Sequence, residues 1–462
     1  MSKRGLKLAQ DKMAAAGVHQ QAIDVFSYYY RQLEEGVTGS IPEDSIEPLL
    51  DPPMLSELVV SQQDAAAALG KTVIIKLNGG LGTSMGMDKA KTLLQVRKGQ
   101  TFLNIIVDQV RHARAEYRIQ LPLLFMNSFR THQDTLAALD SYSDLAVAGL
   151  DLGFLQHQEP KLRVDDLTPV EWPADPNLEW CPPGHGDLYT AVAASGVLDR
   201  LLSLGYRYAS VSNSDNLGAA PDATIAGWFA ASGAPYAAEV CRRTPADRKG
   251  GHLAIRKADR RLILRDTAQT PKAEMHFFTD EFRHPFFHTN NLWFDLAALA
   301  HTLRERKSVL GLPLIKNEKT VDPADSSSPR VIQIETAMGA AIEVFEGATA
   351  IGVGRDRFLP VKTTSDLMVL RSDAYELEAD GQLTKIADPT PVVDLDDRYY
   401  KIIADFDHRF PTGPPSLKDA RHLEVNGDWS FEADVRVIGA VTLEDRGDAQ
   451  IIAAGSTLTG EA

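Results

Sequence analysis

Glycines and lysines are concentrated in one short stretch, KLNGGLGTSMGMDKAK at residues 76–91, with four glycines, two hydroxyl side chains and three lysines. A glycine loop at the end of a strand brings backbone N–H groups close to phosphate oxygens, because no Cβ keeps the ligand away. Lys89 and Lys91 lie near enough in sequence for an ammonium group to reach the same phosphates. The stretch predicts a phosphate-binding loop; the alternative is a plain turn between a strand and a helix.

Two common nucleotide-binding patterns do not fit this loop. GxxxxGK[ST] cannot be placed in it, and GxGxxG fails because Met85 stands where the third glycine is needed and Gly86 follows one residue late. The mismatch argues against an ordinary P-loop enzyme and against a dinucleotide-dependent oxidoreductase.

A carboxylate, Asp215, follows the strand-like run YRYASVSN. Mg²⁺ prefers hard oxygen ligands together with substrate phosphates, and the carboxyl end of a central strand is a suitable place for it. Asn and Asp after a strand are equally typical of an Asx turn. Composition alone leaves both interpretations open.

Two further residues have both a chemical and a structural interpretation. His185 lies in CPPGHGD, residues 181–187, where prolines fix the chain and glycines permit close approach; an exposed histidine in a turn is the alternative. Lys362 follows the apolar run FLPV, so it is either a surface lysine with its stem on apolar neighbours or a phosphate-binding cation.

The glycine loop resembles that of the eukaryotic-type UTP–glucose-1-phosphate uridylyltransferases, also called UDP-glucose pyrophosphorylases. That family carries Leu-Asn-Gly-Gly-Leu-Gly-Thr, then a Met-Gly pair, then a Pro-Lys whose lysine contacts phosphates. Lys91 matches this lysine, whereas Ala90 stands in the place of the usual proline. With gaps, the resemblance runs from residue 72 to residue 375, and its motifs occur in the family's order.

The resemblance implies roles for the matching positions. Lys91 and Lys362 are the implied catalytic cations, and Asp215 is the implied Mg²⁺ ligand. The implied nucleotide-binding residues are Leu77, Gly79, Gly80, Gln156, Gly184 and His185. The implied sugar-binding residues are Asn213, Gly250, Gly251, Asn290 and Asn291. Gln156 would pair with uracil through its carboxamide, and His288 replaces a more usual asparagine.

The resemblance also implies a reaction: uridylyl transfer from UTP to glucose 1-phosphate with Mg²⁺, releasing pyrophosphate. Two alternatives stay open, the same chemistry on another sugar 1-phosphate (galactose or N-acetylhexosamine) and a non-catalytic sugar-nucleotide-binding protein. Enzymes for N-acetylhexosamine favour a Gly-Gly-Gln-Gly-Thr-Arg loop, but Leu81 and Ser84 occupy the Gln and Arg places. A non-catalytic protein is expected to lose a phosphate-binding lysine or the metal carboxylate, and all three are present.

Three segments must position these residues. Residues 1–70 are predicted to be mainly helical, with a proline-rich linker at 39–53. Residues 71–375 alternate strand-like and helical runs, which predicts an α/β fold with a mixed, mostly parallel sheet. The resemblance implies that this segment is a Rossmann-like nucleotidyltransferase core. Residues 376–462 show short strand-like runs without helical periodicity, and we expect a small all-β unit, a β-solenoid resembling a left-handed β-helix.

Composition sets the outer limits. The 462 residues carry a net charge of −15, which argues against general binding to nucleic acid or a membrane surface. No run approaches the roughly 20 apolar residues of a membrane span, and two cysteines are too few for a disulfide framework or a zinc cluster. We expect a cytoplasmic protein that acts on small molecules and could form homo-oligomers through its C-terminal β unit.

Overall fold

A seven-stranded sheet lies at the centre of the computed structural model, which describes residues 3–37, 39–97 and 99–460. We number its strands in chain order: β1 (Thr72–Asn78), β2 (Leu123–Asn127), β3 (Gly153–Leu155), β4 (Tyr208–Asn213), β5 (Tyr236–Arg242), β6 (Phe286–Asp295) and β7 (Thr349–Val353). The spatial order is β7-β5-β6-β4-β1-β2-β3, and only β6 runs antiparallel to its neighbours. The predicted mixed, mostly parallel sheet is confirmed.

The register of the central strands decides where the loops emerge. β1 and β4 are parallel neighbours, with Leu77 opposite Asn213. Because parallel strands end at the same edge of a sheet, the glycine loop after β1 and the Asp215 loop after β4 leave the sheet side by side.

Both faces of this sheet are covered, as a parallel sheet requires. Side chains alternate along β1, so Ile74 packs into the hydrophobic cluster on one face while Val73 and Ile75 pack into the cluster on the other. None of the helices that the structure describes has the length and apolar character of a segment that spans a bilayer.

The helices fall mainly where the sequence predicts them. The longest begins after a capping box formed by Thr101 and Asn104, and Gly196, with φ 76°, separates the helices Leu188–Ala194 and Val197–Ser203. The α-helices of the described residues are Lys3–Ala15, Gln20–Glu34, Gln62–Leu69, Phe102–Tyr117, His132–Leu139, Leu188–Ala194, Val197–Ser203, Ala223–Ser232, Met275–Phe278, Leu296–Glu305, Thr364–Arg371, Asp397–Tyr400 and Ile403–Arg409.

Smaller sheets surround the core. One of them corrects the predicted linker, because Ile46–Pro48 pairs as a strand with His252–Arg256. The other short strands are Gln95–Arg97, Gln100–Thr101, Glu159–Pro160, Leu162–Arg163, Trp180–Cys181, Leu262–Arg265, Ile315–Thr320, Arg330–Glu335, Tyr375–Leu377 and Leu383–Lys385.

The C-terminal segment contains two parallel ladders. The first joins Val392–Leu395, Ser416–Val425, Arg436–Leu443 and Thr457–Thr459, and the second joins Trp429–Phe431 to Gln450–Ile452. The expectation of an all-β tail was wrong in one respect, since two short helices lie between the first two strands. They form because Tyr400, Phe406 and Phe410 bury their rings against Phe431 and one another.

Candidate active site

The glycine loop is anchored by one buried side chain, Asn78, at the end of β1. Its amide nitrogen donates to Asn127 Oδ1 and Thr135 Oγ1, both at 2.8 Å, and its Oδ1 accepts from Thr92 Oγ1 at 2.9 Å. A buried amide with all these partners fixes where the loop starts. The loop beyond is therefore set by the core and not by the ligand.

Two features keep the loop open to a ligand. Among the described residues, the N–H groups of Gly79 and Gly80 have no hydrogen-bond acceptor, whereas Gly80 O accepts from Lys91 N at 3.1 Å. Ala90 has φ −52°, a value that proline adopts, so the backbone here is compatible with the family's usual proline. Leu77, which precedes the loop, is buried at 9 % exposure and accepts from Ser214 N through its carbonyl.

Lys91 and Asp215 meet directly although they are far apart in sequence. Lys91 Nζ donates to Asp215 Oδ2 at 2.7 Å and also to the carbonyl oxygen of Val361. Both side chains are largely buried, at 15 % and 21 % exposure. A charged hydrogen bond in such a place is well above the strength of a surface pair.

Lys362 follows Val361 and lies next to this pair along the chain. Its backbone N–H donates to Asp366 Oδ2 at 2.8 Å, at the start of the helix Thr364–Arg371, while its side chain is exposed. No described residue accepts a hydrogen bond from its ammonium group. The structure thus brings the backbone at residue 362 to the Lys91–Asp215 pair and leaves the Lys362 ammonium free.

Gln156, just after β3, lies between the glycine loop and the loop that carries His185. Its Nε2 donates to Gly184 O at 2.8 Å, and its Oε1 is only 2.8 Å from where a Cβ on Gly79 would stand. Three predicted nucleotide-binding residues therefore sit together. Gln156 itself is only partly buried.

His185 is held in one tautomer. Its Nδ1 accepts from Met338 N at 2.9 Å, which leaves Nε2 to carry the proton. Burial lowers the pKa of His185 to about 4, so the ring is neutral at pH 7 and a donor through Nε2–H.

The predicted sugar-binding residues are only partly assembled. Gly251 O accepts from His288 N at 2.8 Å, and Gly250 O accepts from Arg243. Asn290, at φ 63°, interrupts β6 and is partly exposed, and Asn213 ends β4.

Asn291 is not brought to the same side. Its carboxamide is buried, donating to Glu239 Oε2 at 3.0 Å and accepting from Asn216 Nδ2 at 3.2 Å. Asn290 has a left-handed backbone next to a register shift between β5 and β6, and Asn291 is buried in the core while Asn290 stays partly exposed.

Sequence reasoning missed a buried polar group behind the site. Lys76, Glu239 and Arg357 are each at most 6 % exposed, and Arg357 pairs with Glu239 through two hydrogen bonds of 2.8 Å. The one signal in the sequence was the lysine inside the apolar run TVIIKL, because lysine is rare in a fully buried strand unless it is paired. Glu239 and Arg357 give no local signal, because they are separated by 118 residues.

The donor set at Asp215 fits a magnesium ion that arrives with a nucleotide. No group of three or more metal-ligating side chains occurs in the part of the chain that the structure describes. Asp215 accepts from Lys91 through Oδ2, and no described residue donates a hydrogen bond to its Oδ1. Mg²⁺ commonly takes one or two carboxylates and completes its shell with water and substrate phosphates, so one carboxylate beside a phosphate loop is sufficient.

Comparisons with known proteins agree with this geometry. Residues 23–437 match the UTP–glucose-1-phosphate uridylyltransferase family. The UTP–glucose-1-phosphate uridylyltransferase of Saccharomyces cerevisiae is 36% identical over 437 residues, 93% of this chain and 86% of that protein.

Solved structures give the same result. A variant of the UDP-glucose pyrophosphorylase from Leishmania major, in complex with UDP-glucose, superposes with a TM-score of 0.92 at 41% identity, covering 100% of this chain and 99% of that one. A Trypanosoma brucei protein described as a UDP-glucose phosphorylase gives a TM-score of 0.91 at 42% identity, covering 99% and 98% of the two chains. The resemblance seen in the glycine loop is confirmed, and the chain belongs to the UTP–glucose-1-phosphate uridylyltransferase family.

Proposed function

We propose that this chain transfers the uridylyl group of UTP to glucose 1-phosphate, giving UDP-glucose and pyrophosphate reversibly. The observation that carries the proposal is the meeting of Lys91, Asp215 and the segment 361–362 beside the glycine loop. Membership of a family named for this reaction supports the choice of substrates.

The reaction needs positioning more than proton transfer. An oxygen of glucose 1-phosphate attacks the α-phosphorus of UTP, and the bond from that phosphorus to the pyrophosphate oxygen breaks. The attacking oxygen is already ionised at pH 7, so no general base is required. The barrier arises from bringing two polyanions together and from charge on the transferred phosphoryl group and the leaving pyrophosphate.

In this proposal the two lysines bind different phosphate groups. The Lys91 ammonium has three N–H donors and uses two of them, on Asp215 and Val361, so the third remains for the triphosphate. The unpaired N–H groups of Gly79 and Gly80 bind the same anion. Lys362 takes the incoming sugar phosphate, which its unpaired and exposed ammonium supports.

Asp215 is proposed to hold Mg²⁺ through its remaining carboxylate oxygen. When bound, the ion would neutralise charge that develops on the phosphates. The position of Asp215 at the end of β4, next to the glycine loop, supports the assignment.

Gln156 is proposed to read uracil. One hydrogen of its Nε2 is used on Gly184, which leaves the second hydrogen and Oε1 as a donor and acceptor pair for the base edge. His185 would donate from Nε2 to a phosphate oxygen. Gly184, Asn213, Gly250, Gly251 and Asn290 are kept as ligand contacts on the family resemblance.

The proposal extends to organisation. Residues 1–70, 71–375 and 376–462 form a helical region, the catalytic domain and a β-solenoid domain, the last supported by its parallel ladders. Exposed Val392, Ile438 and Ile451 on that domain support homo-oligomer formation, which light scattering tests. Two free thiols support a cytoplasmic location, which cell fractionation tests.

The test is pyrophosphate release by the purified chain with Mg²⁺. UTP, ATP, CTP and GTP are each paired with glucose 1-phosphate, and UTP is then paired with galactose 1-phosphate and N-acetylglucosamine 1-phosphate. We expect the fastest release with UTP and glucose 1-phosphate. Absence of release with every pair would overturn the proposal, and a faster rate with another sugar would replace the substrate.

A further inference from the structure

The Asp215 loop and the Lys362 loop are joined along their length. Asn216 forms an antiparallel bridge with Pro360, Asp215 O accepts from Val361 N at 3.3 Å, and Asn216 Oδ1 accepts from Leu359 N at 2.8 Å. Packing is equally close, since a Cβ on Gly218 would stand 2.3 Å from Asp356 O. The two loops therefore cannot move independently.

One carboxamide makes the junction from both of its ends. Asn216 Nδ2 donates to Arg357 O at 3.1 Å, while its Oδ1 accepts from Leu359 N. The side chain is buried at 2 % exposure. Asn216 immediately follows Asp215, and its side chain bonds to Arg357 and Leu359 in the segment that leads to Lys362.

A buried ion pair holds Arg357 behind this junction. Arg357 Nε and Nη2 donate to the two oxygens of Glu239, which also accepts from Trp293 Nε1 and from Asn291 Nδ2, both at 3.0 Å. Glu239 thus accepts hydrogen bonds from four donor groups and is completely buried, at 0 % exposure. Arg357 Nη1 also donates to Ala220 O at 3.2 Å, so the pair fixes both loops.

We infer that Asn216, anchored by the Glu239–Arg357 pair, is a positioning residue that sets the separation of Asp215 and Lys362. The inference rests on the proposed function, because the separation matters only if both residues act on the two substrate phosphates. Asn216 itself is given no contact with substrate in the proposed mechanism. It acts by keeping the two loops in one register, so that a shift in either loop moves the other.

The test compares Asn216→Ala with Trp293→Phe. The first substitution removes both side-chain hydrogen bonds of Asn216 to the Lys362 loop and leaves only the backbone contacts, whereas the second removes one hydrogen bond to Glu239 and leaves the Asn216 junction intact. Since misplacement of catalytic groups by about 1 Å can cost about a hundredfold in rate, we expect kcat of Asn216→Ala to fall by at least about tenfold. KM for UTP should change by less than about threefold, because the loop amides and Gln156 are untouched.

Hydrogen exchange provides a readout that does not depend on turnover. The amides of Leu359 and Val361 should exchange faster in Asn216→Ala than in the wild type. Their exchange rates should be unchanged in Trp293→Phe. Asn216→Ser is measured in parallel with the same expectation, in case the alanine variant does not fold.

Two results would overturn the inference: a kcat loss in Trp293→Phe as large as that in the Asn216 variants at equal Tm, or a KM increase without a kcat loss. Wild-type enzyme that releases no pyrophosphate would instead refute the proposed function itself.

Discussion

At the scale of single residues, the site depends on pairing opposite charges before any substrate is bound. The Lys91 ammonium is satisfied on two of its three donors, and Asp215 on one of its two oxygens. Each group keeps one position for a ligand, so each is oriented in advance and still available. Preorganisation of this kind avoids part of the cost of ordering side chains during the reaction.

Replacing Lys91 by alanine tests the role of this preorganised cation. Loss of a preorganised cation on the phosphates should lower kcat by about two orders of magnitude or more. The measurement is steady-state pyrophosphate release at saturating UTP and glucose 1-phosphate. Lys71→Ala, which removes an exposed lysine just before β1, is the matched control and should keep wild-type kcat. If purified Lys91→Ala turns over at the wild-type rate, the assignment of Lys91 fails.

At the scale of elements, glycines matter where two segments touch. Gly184 has φ 77°, and a Cβ there would stand 2.6 Å from Thr336 O. Gly196 has nearly the same φ, 76°, but open space around it. The two positions differ in backbone as well as in space, because Gly184 combines its positive φ with ψ 174°, a region essentially confined to glycine, whereas Gly196 has ψ −2° and is left-handed.

Alanine at Gly196 measures the cost of a left-handed backbone alone, whereas alanine at Gly184 adds a less tolerated backbone and a collision. Gly196→Ala should lose about 1–2 kcal/mol of unfolding free energy from the left-handed backbone alone. Gly184→Ala should lose more, because residues 183–185 must also move away from Thr336, and its KM for UTP should rise. Urea unfolding and initial-rate kinetics on both variants make the comparison. Equal stability losses with unchanged KM in both would contradict the role given to the Gly184 contact.

The elements also show what sequence reasoning could and could not reach. The glycine loop, Lys91 and Asp215 were predictable because each follows a strand whose apolar run is visible, and parallel strands end at one edge. The direction of Asn291 was not predictable, because it depends on the interruption of β6 at Asn290 and on a register shift against β5. The Glu239–Arg357 pair was also hidden, since its partners come from distant strands and loops. The helices Asp397–Tyr400 and Ile403–Arg409 are stabilised by aromatic contacts, and the sequence there shows no helical periodicity that would predict them.

At the scale of the whole molecule, one buried lysine links the stability of the core to pH. Lys76 is 1 % exposed and donates to Ser212 Oγ at 2.8 Å and to Ala219 O at 2.7 Å. Burial, reinforced by the charge of Arg357, lowers the pKa of Lys76 to about 7. The two N–H groups of a neutral amine match its two acceptors.

The sign of the pH effect follows from linkage. An unfolded lysine titrates near pH 10.4, so between about pH 7 and pH 10 the unfolded chain holds a proton that the folded chain has lost. Stability contributed by this residue should therefore rise with pH across that window and stay constant below it. Compared with Lys76→Met, the wild type should gain up to about 2 kcal/mol more between pH 7 and pH 9. Denaturant unfolding of both proteins at the two pH values provides the measurement, and identical pH profiles would refute the assignment.

The contact between Lys91 and Asp215 has a consequence for which form of UTP is accepted. At rest the two charges cancel, so this pair adds little net attraction for a bare triphosphate. A triphosphate that takes the third Lys91 donor lies beside the Asp215 carboxylate, and a divalent cation that arrives with it offsets the repulsion between the two anions. We therefore expect calorimetry to show tighter binding of UTP with Mg²⁺ than of UTP in a chelator, and the preference to vanish in Asp215→Asn.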